Sequence, residues 1–238
     1  MRRIILPATG FLLLALGCAP AGPPAPTPDP ASGWTGYRAG GNEPFWTLTF
    51  TESGMRFADM GIADSAAAAR PAVQATTTGW RFAANANGRP FVAEIERRNC
   101  NDSMSGRPFP HAVTVTVNGR TYAGCGGDTS GMITGAAWNV IEIDGSATAA
   151  RRPTITFGAE DQVTGSGGCN TFRGAYRITG EGIDVGPVAA TKMACAEAVV
   201  NQQETKFFGV LDQVSRFDVA NGRLELYAGD RRVIVAER

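Results

Sequence analysis

The chain has 238 residues, 43% hydrophobic and 18% charged, which is enough for one or two globular domains with packed cores. Its 22 basic and 22 acidic residues balance, so the charge gives no argument for a nucleic-acid partner. Thirty glycines, with many threonines, valines and phenylalanines, favour β structure with tight turns over a helical bundle.

Residues 1–17 have the pattern of a signal peptide. Two arginines precede an apolar stretch at residues 4–16, which is shorter than the roughly 20 residues of a membrane-spanning helix. The stretch ends in Leu-Ala-Leu-Gly-Cys at residues 14–18, which resembles a bacterial lipobox. This resemblance implies cleavage before Cys18 and attachment of acyl chains such as palmitate to it. The alternative is ordinary secretion with an unmodified Cys18.

The next segment, residues 18–33, is predicted to be a tether between the lipid and the first domain. Six of residues 19–32 are proline, a composition that builds no core and favours extended, semi-rigid conformations. Because Ala19 rather than an aspartate follows Cys18, we expect the lipid-anchored protein at the outer membrane, facing the periplasm.

Four further cysteines, Cys100, Cys125, Cys169 and Cys195, fit an oxidising compartment and allow three pairings. Chain order suggests Cys100 with Cys125 and Cys169 with Cys195. Zinc binding is the alternative, but the cysteines are far apart in sequence and the chain has one histidine. We therefore expect disulfides and no metal or cofactor.

A first domain is predicted at residues 34–132. Apolar residues and threonines alternate over residues 45–50, which indicates a half-buried strand, and Asn118-Gly119 predicts a hairpin between flanking strands. Further strands are expected at residues 54–58, 80–82 and 91–96, and one short helical turn at residues 66–69. The pattern predicts an antiparallel sheet or small barrel.

Three segments of this domain, residues 41–46, 99–110 and 124–127, resemble a family of bacterial envelope proteins with no known activity. Two interpretations of their polar residues remain open. The first is a polar pocket, and the second is a set of local turn hydrogen bonds around a disulfide. The residues concerned are Asn42, Glu43, Asn101, Asp102 and Ser103. His111, the single histidine, is expected to start a surface strand rather than to act as a general base.

A second domain is predicted at residues 133–238. Strands are expected over residues 136–145, 153–157, 162–170 and 172–178, and a helix over about residues 196–214. On that helix Phe207, Phe208, Leu211 and Val214 share one face. Asn221-Gly222 predicts a closing hairpin.

The order of several residues in this domain resembles the META/HslJ family. The resemblance rests on Trp138, the Gly-Gly-Cys-Asn turn at residues 167–170, the Thr-Lys-Met-Ala-Cys segment at residues 191–195, and the helix with its final hairpin. It implies a small antiparallel barrel or bent sheet holding one helix, an envelope setting loosely linked to stress, and no catalytic residues.

The candidate surface residues of the second domain are polar and flank its two cysteines. They are Asn170, Thr171, Arg173, Thr191 and Lys192. The alternative is that Asn170 and Thr191 satisfy local backbone groups, while Arg173 and Lys192 are simply solvated.

The fold expected from the sequence is therefore mainly β, with two small antiparallel sheets or barrels in tandem and one helix in the second.

We expect a non-enzymatic envelope lipoprotein acting in binding or stress protection, because one histidine and no nucleophile motif leave little basis for acid–base catalysis. The alternative is a periplasmic inhibitor or adaptor that binds a partner protein such as a lysozyme. Besides the membrane, we expect an envelope protein or small ligand as partner and no nucleic acid. The sequence does not predict the oligomeric state.

Overall fold

A computed structural model describes residues 32–60, 65–149 and 151–238. The predicted signal peptide and Cys18 lie outside the described residues, as does nearly all of the predicted tether. In the described part of the chain, no helix has both the length and the apolar character that crossing a membrane would require.

In the first half, the described residues form eleven strands after a short 3-10 turn at Ser32–Trp34. In chain order they are β1 (Arg38–Asn42), β2 (Phe45–Phe50), β3 (Gly54–Asp59), β4 (Ser65–Ala69), β5 (Gln74–Ala75), β6 (Gly79–Ala86), β7 (Arg89–Glu96), β8 (Cys100–Asn101), β9 (Pro108–Phe109), β10 (His111–Val117) and β11 (Arg120–Gly126). Nine of them make one antiparallel sheet in the order β4-β3-β2-β1-β11-β10-β7-β6-β5, while β8 and β9 pair as a separate hairpin.

The second half begins with a 3-10 turn at Ser130–Met132, and its described residues form ten strands and one helix. They are β12 (Trp138–Ile143), β13 (Ser146–Ala147), β14 (Thr154–Phe157), β15 (Gln162–Ser166), β16 (Thr171–Ile178), β17 (Ile183–Val185), β18 (Ala189–Ala190), α1 (Ala198–Leu211), β19 (Arg216–Ala220), β20 (Arg223–Ala228) and β21 (Arg231–Glu237). The main path of this sheet is β17-β16-β15-β14-β12-β21-β20-β19, with β13 on β12 and β18 on β16.

The second sheet curls until its two edges meet. The backbone N–H of Ile183 in β17 donates a 3.1 Å hydrogen bond to the carbonyl of Ser215, directly before β19. Helix α1 packs against this sheet through one face, on which Phe207 and Leu211 have no solvent exposure. The expectation of a mainly β chain with two curled antiparallel sheets and one helix in the second half is confirmed.

Each sheet has its own hydrophobic cluster. In the first, Trp46, Leu48 and Phe50 project from alternate positions of β2 and are at most 2% exposed. In the second, Trp138 and Phe157 pack with the apolar face of α1. The clusters span residues 39–122 and 133–236, while the domain boundary at residues 132–133 stays a prediction.

The predicted hairpin turns are present. Asn118 and Gly119 both have positive φ, as do Asn221 and Gly222, which is the geometry that a two-residue type I′ turn requires. The short helical turn expected at residues 66–69 is wrong, because these alanines belong to β4, which pairs with β3 over five residues. The predicted helix is three residues longer at its C-terminal end than α1 and two residues longer at its N-terminal end.

Side chains from the first half contact the second. The Arg107 guanidinium donates to the carbonyl of Thr179 at 3.2 Å, and the Asn99 side-chain amide donates to the carbonyl of Val219. The buried Thr129 hydroxyl donates to the carbonyl of Pro108 at 3.0 Å, which fixes the connection between the halves against the β8–β9 hairpin.

Candidate functional site

The glycines of β1 and β11 allow these strands to pack unusually closely over Trp46. The Trp46 indole lies against Gly41, and its N–H donates to the carbonyl of Ala123 at 3.2 Å. A Cβ at Gly41 would lie 2.6 Å from that carbonyl oxygen, and one at Gly124 would lie 2.8 Å from Cζ2 of Trp46. Side chains at these positions would therefore push the two strands apart.

The Cys100–Cys125 disulfide joins the β8–β9 hairpin to β11 at the same place. The two Cα atoms are 5.5 Å apart, and the pairing is the one expected from chain order. The bridge holds the loop after Asn101 beside the end of β1.

Hydrogen bonds between Asn42 and this loop complete the polar cluster. The Asn42 side-chain amide donates to Oδ2 of Asp102 at 2.7 Å and to the hydroxyl of Ser103 at 3.0 Å. Oδ1 of Asp102 accepts from the Ser105 hydroxyl at 2.7 Å and from the backbone N–H groups of Met104 and Ser105 at 3.1 and 2.8 Å. The local turn bonds shape the loop, as one interpretation expects, and the contact to Asn42 ties the loop to the sheet. The functional pocket of the other interpretation stays a prediction.

The electrostatics of Asp102 follow from these contacts. Its partial burial acts to raise the pKa of the carboxyl, but the hydrogen bonds from Ser105, Asn42 and Met104 together outweigh that effect and lower it. Asp102 is consequently a carboxylate at neutral pH.

Two connected concavities flank this cluster, and we call them together the disulfide groove. The first, of about 320 Å³, is lined by all five predicted residues, Asn42, Glu43, Asn101, Asp102 and Ser103, together with Arg98. The second, of about 420 Å³, shares Asn42, Asp102 and Cys125 with the first. It adds two arginines, Arg38 and Arg107, and several apolar residues, among them Phe45, Met60 and Phe109.

The second concavity is amphipathic. Phe45 is 48% exposed and Met60 is 69% exposed, and the backbone N–H of Met60 donates to the carbonyl of Phe45 at 2.8 Å. The Arg107 guanidinium stacks 4.6 Å from the centre of the Phe109 ring. This arrangement can bind an apolar side chain beside a polar or anionic group.

His111 lies at the start of β10, as the sequence indicates, and is half-buried. Its Nδ1 is hydrogen-bonded to the Tyr37 hydroxyl at 3.3 Å, and its ring meets the edge of Trp80. Burial lowers the pKa of His111, and the nearby charge of Arg97 lowers it further. Burial raises the pKa of the Tyr37 phenol, which makes the phenol a poor nucleophile for His111 to activate.

In the second half, the Cys169–Cys195 disulfide lies beside a buried carboxylate. Glu204 of α1 is 6% exposed, and its Oε2 accepts from the backbone N–H groups of Asn170 at 2.6 Å and Cys169 at 3.2 Å. Its Oε1 accepts from the side-chain amide of Asn170 at 2.6 Å. Oδ1 of Asn170 in turn accepts from the Thr191 hydroxyl and the Met193 N–H, at 2.8 and 2.7 Å.

This network corrects the assignment of Asn170 as a surface residue. Asn170 is 5% exposed, because its side chain joins the helix to the segment after β18. Arg173, Lys192 and Thr191 are exposed, and Arg173 lines a separate groove of about 350 Å³ with Thr171. The candidate residues therefore do not form one site. Those of the first half line the disulfide groove, namely Asn42, Glu43, Asn101, Asp102 and Ser103. Those of the second half lie in the second sheet or in the segments that flank its strands, namely Asn170, Thr171, Arg173, Thr191 and Lys192.

Residues 131–238 match the family model of the META domain. The match lies in the C-terminal half of the chain, and we call these residues the META half. No curated protein matches the chain.

Two solved structures also match part of the chain. One is an NMR structure of a protein from Burkholderia xenovorans, 20% identical, which covers 46% of this chain and 85% of that one with a TM-score of 0.39. Another NMR structure is 19% identical and covers 47% of this chain and 95% of that one, with a TM-score of 0.40.

Glu204 is the residue of the META domain that sequence reasoning missed. A charged residue on a helix is ordinarily assigned to the solvent face. Its spacing from Val200, Phe207 and Leu211 nevertheless places it on the apolar face, and all four are buried. Gly167 of the Gly-Gly-Cys-Asn turn accommodates this carboxylate, since a Cβ there would lie 2.6 Å from Cγ of Glu204.

Proposed function

We propose that this protein is a non-enzymatic binding module of the bacterial envelope, anchored through lipid on Cys18, and that the disulfide groove contacts a protein partner. The observation that carries the proposal is the exposure of Phe45 and Met60 beside the fixed Asn42–Asp102 pair. Large exposed apolar side chains within a polar, arginine-flanked concavity are typical of interaction surfaces.

The packing of the sheets favours a surface partner over a small molecule carried inside a barrel. The interior of the META sheet is filled by its own side chains, among which Phe157, Phe207 and Phe217 have no exposure. The disulfide groove is open to solvent and lies on the first sheet. We therefore assign recognition of the protein partner to the first half.

A catalytic role is not part of the proposal. The one histidine faces the phenol of Tyr37 and the ring of Trp80, and neither supplies an activated nucleophile. The META match assigns no reaction.

One feature supports the alternative of an inhibitor or adaptor that inserts a loop into a partner. Met104 is 69% exposed in the loop between β8 and β9. The three hydrogen bonds to Oδ1 of Asp102 and the Cys100–Cys125 bridge hold that loop in one conformation. Loops held in this way bind with little loss of conformational entropy.

Site-directed crosslinking in the native host tests the proposal. A photoreactive amino acid is placed at Phe45, at Met60, or at Met193, an exposed methionine of the META half that serves as the control. We expect positions 45 and 60 to give one common adduct that position 193 does not give. Equal adducts at position 193, or no adduct at positions 45 and 60, would contradict the proposal.

The inhibitor alternative has its own assay. Purified protein is added to lysozymes, and Met104→Ser is compared with Met193→Ser. Inhibition that is lost only in Met104→Ser would support loop insertion, whereas the absence of inhibition by the unaltered protein would exclude lysozymes as the target.

A further inference from the structure

Three groups with metal-binding chemistry converge at the first turns of α1. The sulfur atoms of Cys169 and Cys195 and a carboxylate oxygen of Glu204 all lie within 4.8 Å of one another. Oε1 of Glu204 is 3.9 Å from Sγ of Cys195. In the oxidised protein the two sulfurs are joined, so that neither is available as a thiolate.

We propose that reduction of the Cys169–Cys195 disulfide converts this cluster into a binding site for a thiophilic divalent cation such as Zn²⁺. A dithiol reductant supplies two electrons and two protons, the S–S bond breaks, two thiols form, and the reductant becomes a disulfide. The cation then displaces the two thiol protons and is bound by two thiolates and the Glu204 carboxylate.

The distances suit tetrahedral coordination. With zinc–sulfur bonds of about 2.3 Å and zinc–oxygen bonds of about 2.0 Å, sulfur and oxygen ligands lie roughly 3.5 Å apart. Sγ of Cys195 and Oε1 of Glu204 are already close to that separation. The carbonyl oxygen of Met193, 4.0 Å from Sγ of Cys169, or a water molecule would supply the fourth ligand.

The two sulfurs must separate by more than an ångström for both to bind one ion. Cys195 lies in residues 191–197, which have no regular secondary structure between β18 and α1. Cys169 follows Gly167 and Gly168 in the turn between β15 and β16. Both sulfurs are therefore carried by irregular segments, while Glu204 is held by a helix.

Glu204 is oriented as a metal ligand would be. Oε2 is occupied by the N–H groups of Cys169 and Asn170, whereas Oε1 accepts one hydrogen bond, from the Asn170 amide. A carboxylate oxygen has capacity for a second partner, and Cys195 lies next to it. Outer hydrogen bonds of this kind fix metal-ligating side chains in known sites.

Access and ligand type distinguish this disulfide from the other one. Cys169 and Cys195 are both partly exposed, so a reductant and a cation can reach both sulfurs, whereas in the first bridge Cys100 is partly exposed but Cys125 is only 7% exposed. The contact of the Cys100 sulfur is the Gly124 carbonyl rather than a carboxylate. Thiolate ligands select zinc and similar ions over magnesium or calcium.

Cobalt binding tests the proposal on the full chain carrying Cys18→Ser, which removes the thiol of the predicted lipid-attachment site. The protein is reduced with a phosphine, kept anaerobic and titrated with Co²⁺, whose thiolate complexes absorb visible light. The controls are the oxidised protein, the Cys169→Ser/Cys195→Ser variant and Glu197→Gln, which alters an exposed glutamate of the same segment. Circular dichroism monitors folding throughout.

We expect the reduced protein to bind one equivalent of Co²⁺ with tetrahedral thiolate bands, and Zn²⁺ to displace it. The oxidised protein and the double-serine variant should not show these bands. Glu204→Gln should weaken binding at least about tenfold, since even outer partners of metal ligands have effects of that size. Glu197→Gln should bind like the parent.

Three results would overturn the proposal. They are equal binding by the double-serine variant, absence of binding by the reduced parent, and unchanged affinity and spectrum in Glu204→Gln. The last result would also be seen if Co²⁺ bound to thiolates of an unfolded chain, because the affinity of such binding would not depend on Glu204.

Discussion

The Glu204 carboxylate accepts a 2.6 Å hydrogen bond from the side-chain amide of Asn170, 34 residues earlier in the chain. Both residues are at most 6% exposed, and the contact joins α1 to the cysteine-bearing turn between β15 and β16. It makes a buried polar network part of the structural core of the META half.

Glu204→Gln is expected to destabilise the protein by about 2–3 kcal/mol. Glutamine keeps one acceptor oxygen, but the –NH2 group that replaces the other oxygen cannot accept a hydrogen bond. Either the N–H groups of Cys169 and Asn170 or the Asn170 side-chain amide therefore lose their buried acceptor. Chemical unfolding of the oxidised protein measures the change. Glu197→Gln, whose ion pair with Arg151 is more than half exposed, should cost less than about 1 kcal/mol. Equal effects would show that the Glu204 network adds nothing to stability.

Gly167→Ala and Gly209→Ala are expected to change stability in opposite directions. A Cβ at residue 167 would lie 2.6 Å from Cγ of Glu204, so the carboxylate must leave its hydrogen bonds. Gly209 lies within α1 with open space around it, and alanine there should stabilise the helix by about 0.5–1 kcal/mol. Thermal unfolding of the two variants provides the comparison. A stabilised Gly167→Ala variant would contradict the role assigned to the Gly-Gly-Cys-Asn turn.

Asp102→Asn should change how the stability of the folded protein depends on pH in the acid range. Because hydrogen bonds lower the pKa of Asp102 in the folded protein, its contribution is full above the unfolded-state pKa of about 3.9. That contribution is lost as the pH falls through the lower folded-state pKa. Asp102→Asn should therefore melt earlier than the parent at pH 7, and the difference should shrink near pH 2–3.

Melting temperatures of both proteins across pH 2–7 test this expectation. Asp184→Asn, which removes an exposed partner of Arg177, is the control and should leave the profile nearly unchanged. A deficit in Asp102→Asn that is the same at every pH would mean that the carboxylate's charge is not involved.

Removing the second disulfide should affect the META half selectively. Cys169→Ser/Cys195→Ser is expected to destabilise that half by about 2–5 kcal/mol, since the bridge closes a loop with a sequence separation of 26. Hydrogen exchange should increase in β16 and α1 and remain slow in β10 and β11. Equal loss of protection in both halves would mean that the contacts of Arg107 and Asn99 couple them into one folding unit.

Cys18→Ser tests the anchor. If the lipobox resemblance is correct, the variant should move from the membrane pellet to the soluble envelope fraction, because no acyl chain can be attached. Cys100→Ser, which retains Cys18, is the matched control and should stay in the pellet. Retention of Cys18→Ser in the pellet would contradict lipid anchoring through this residue.

Local sequence signals predicted the turns and the helix but not every strand. Asn118-Gly119 and Asn221-Gly222 determine their hairpins because both residues of each pair adopt positive φ. The alanines at residues 66–69 favour a helix intrinsically, but pairing with β3 decides their conformation. A short segment of this kind takes its structure from a neighbour that propensity does not reveal.

The residues of the candidate site were likewise predicted only in part. The residues that line the first concavity of the disulfide groove were predicted because Asn, Asp and Ser cluster in two glycine-flanked segments near a cysteine. Phe45 and Met60 were not predicted, since an apolar residue in or beside a strand gives no sign that it faces solvent. The partner of Asn170 was missed because Glu204 is 34 residues away and charged.

The sheet order has a consequence for synthesis. In each half, the first long strand pairs with the last one, with Ala39 opposite Gly126 and Asn139 opposite Glu237. While the chain emerges from N- to C-terminus, one edge of β1 stays unpaired until β11 has emerged. One edge of β12 likewise stays unpaired until β21 has emerged. Both halves depend on contacts between distant residues, which form slowly, so each open edge is exposed to foreign strands throughout that interval.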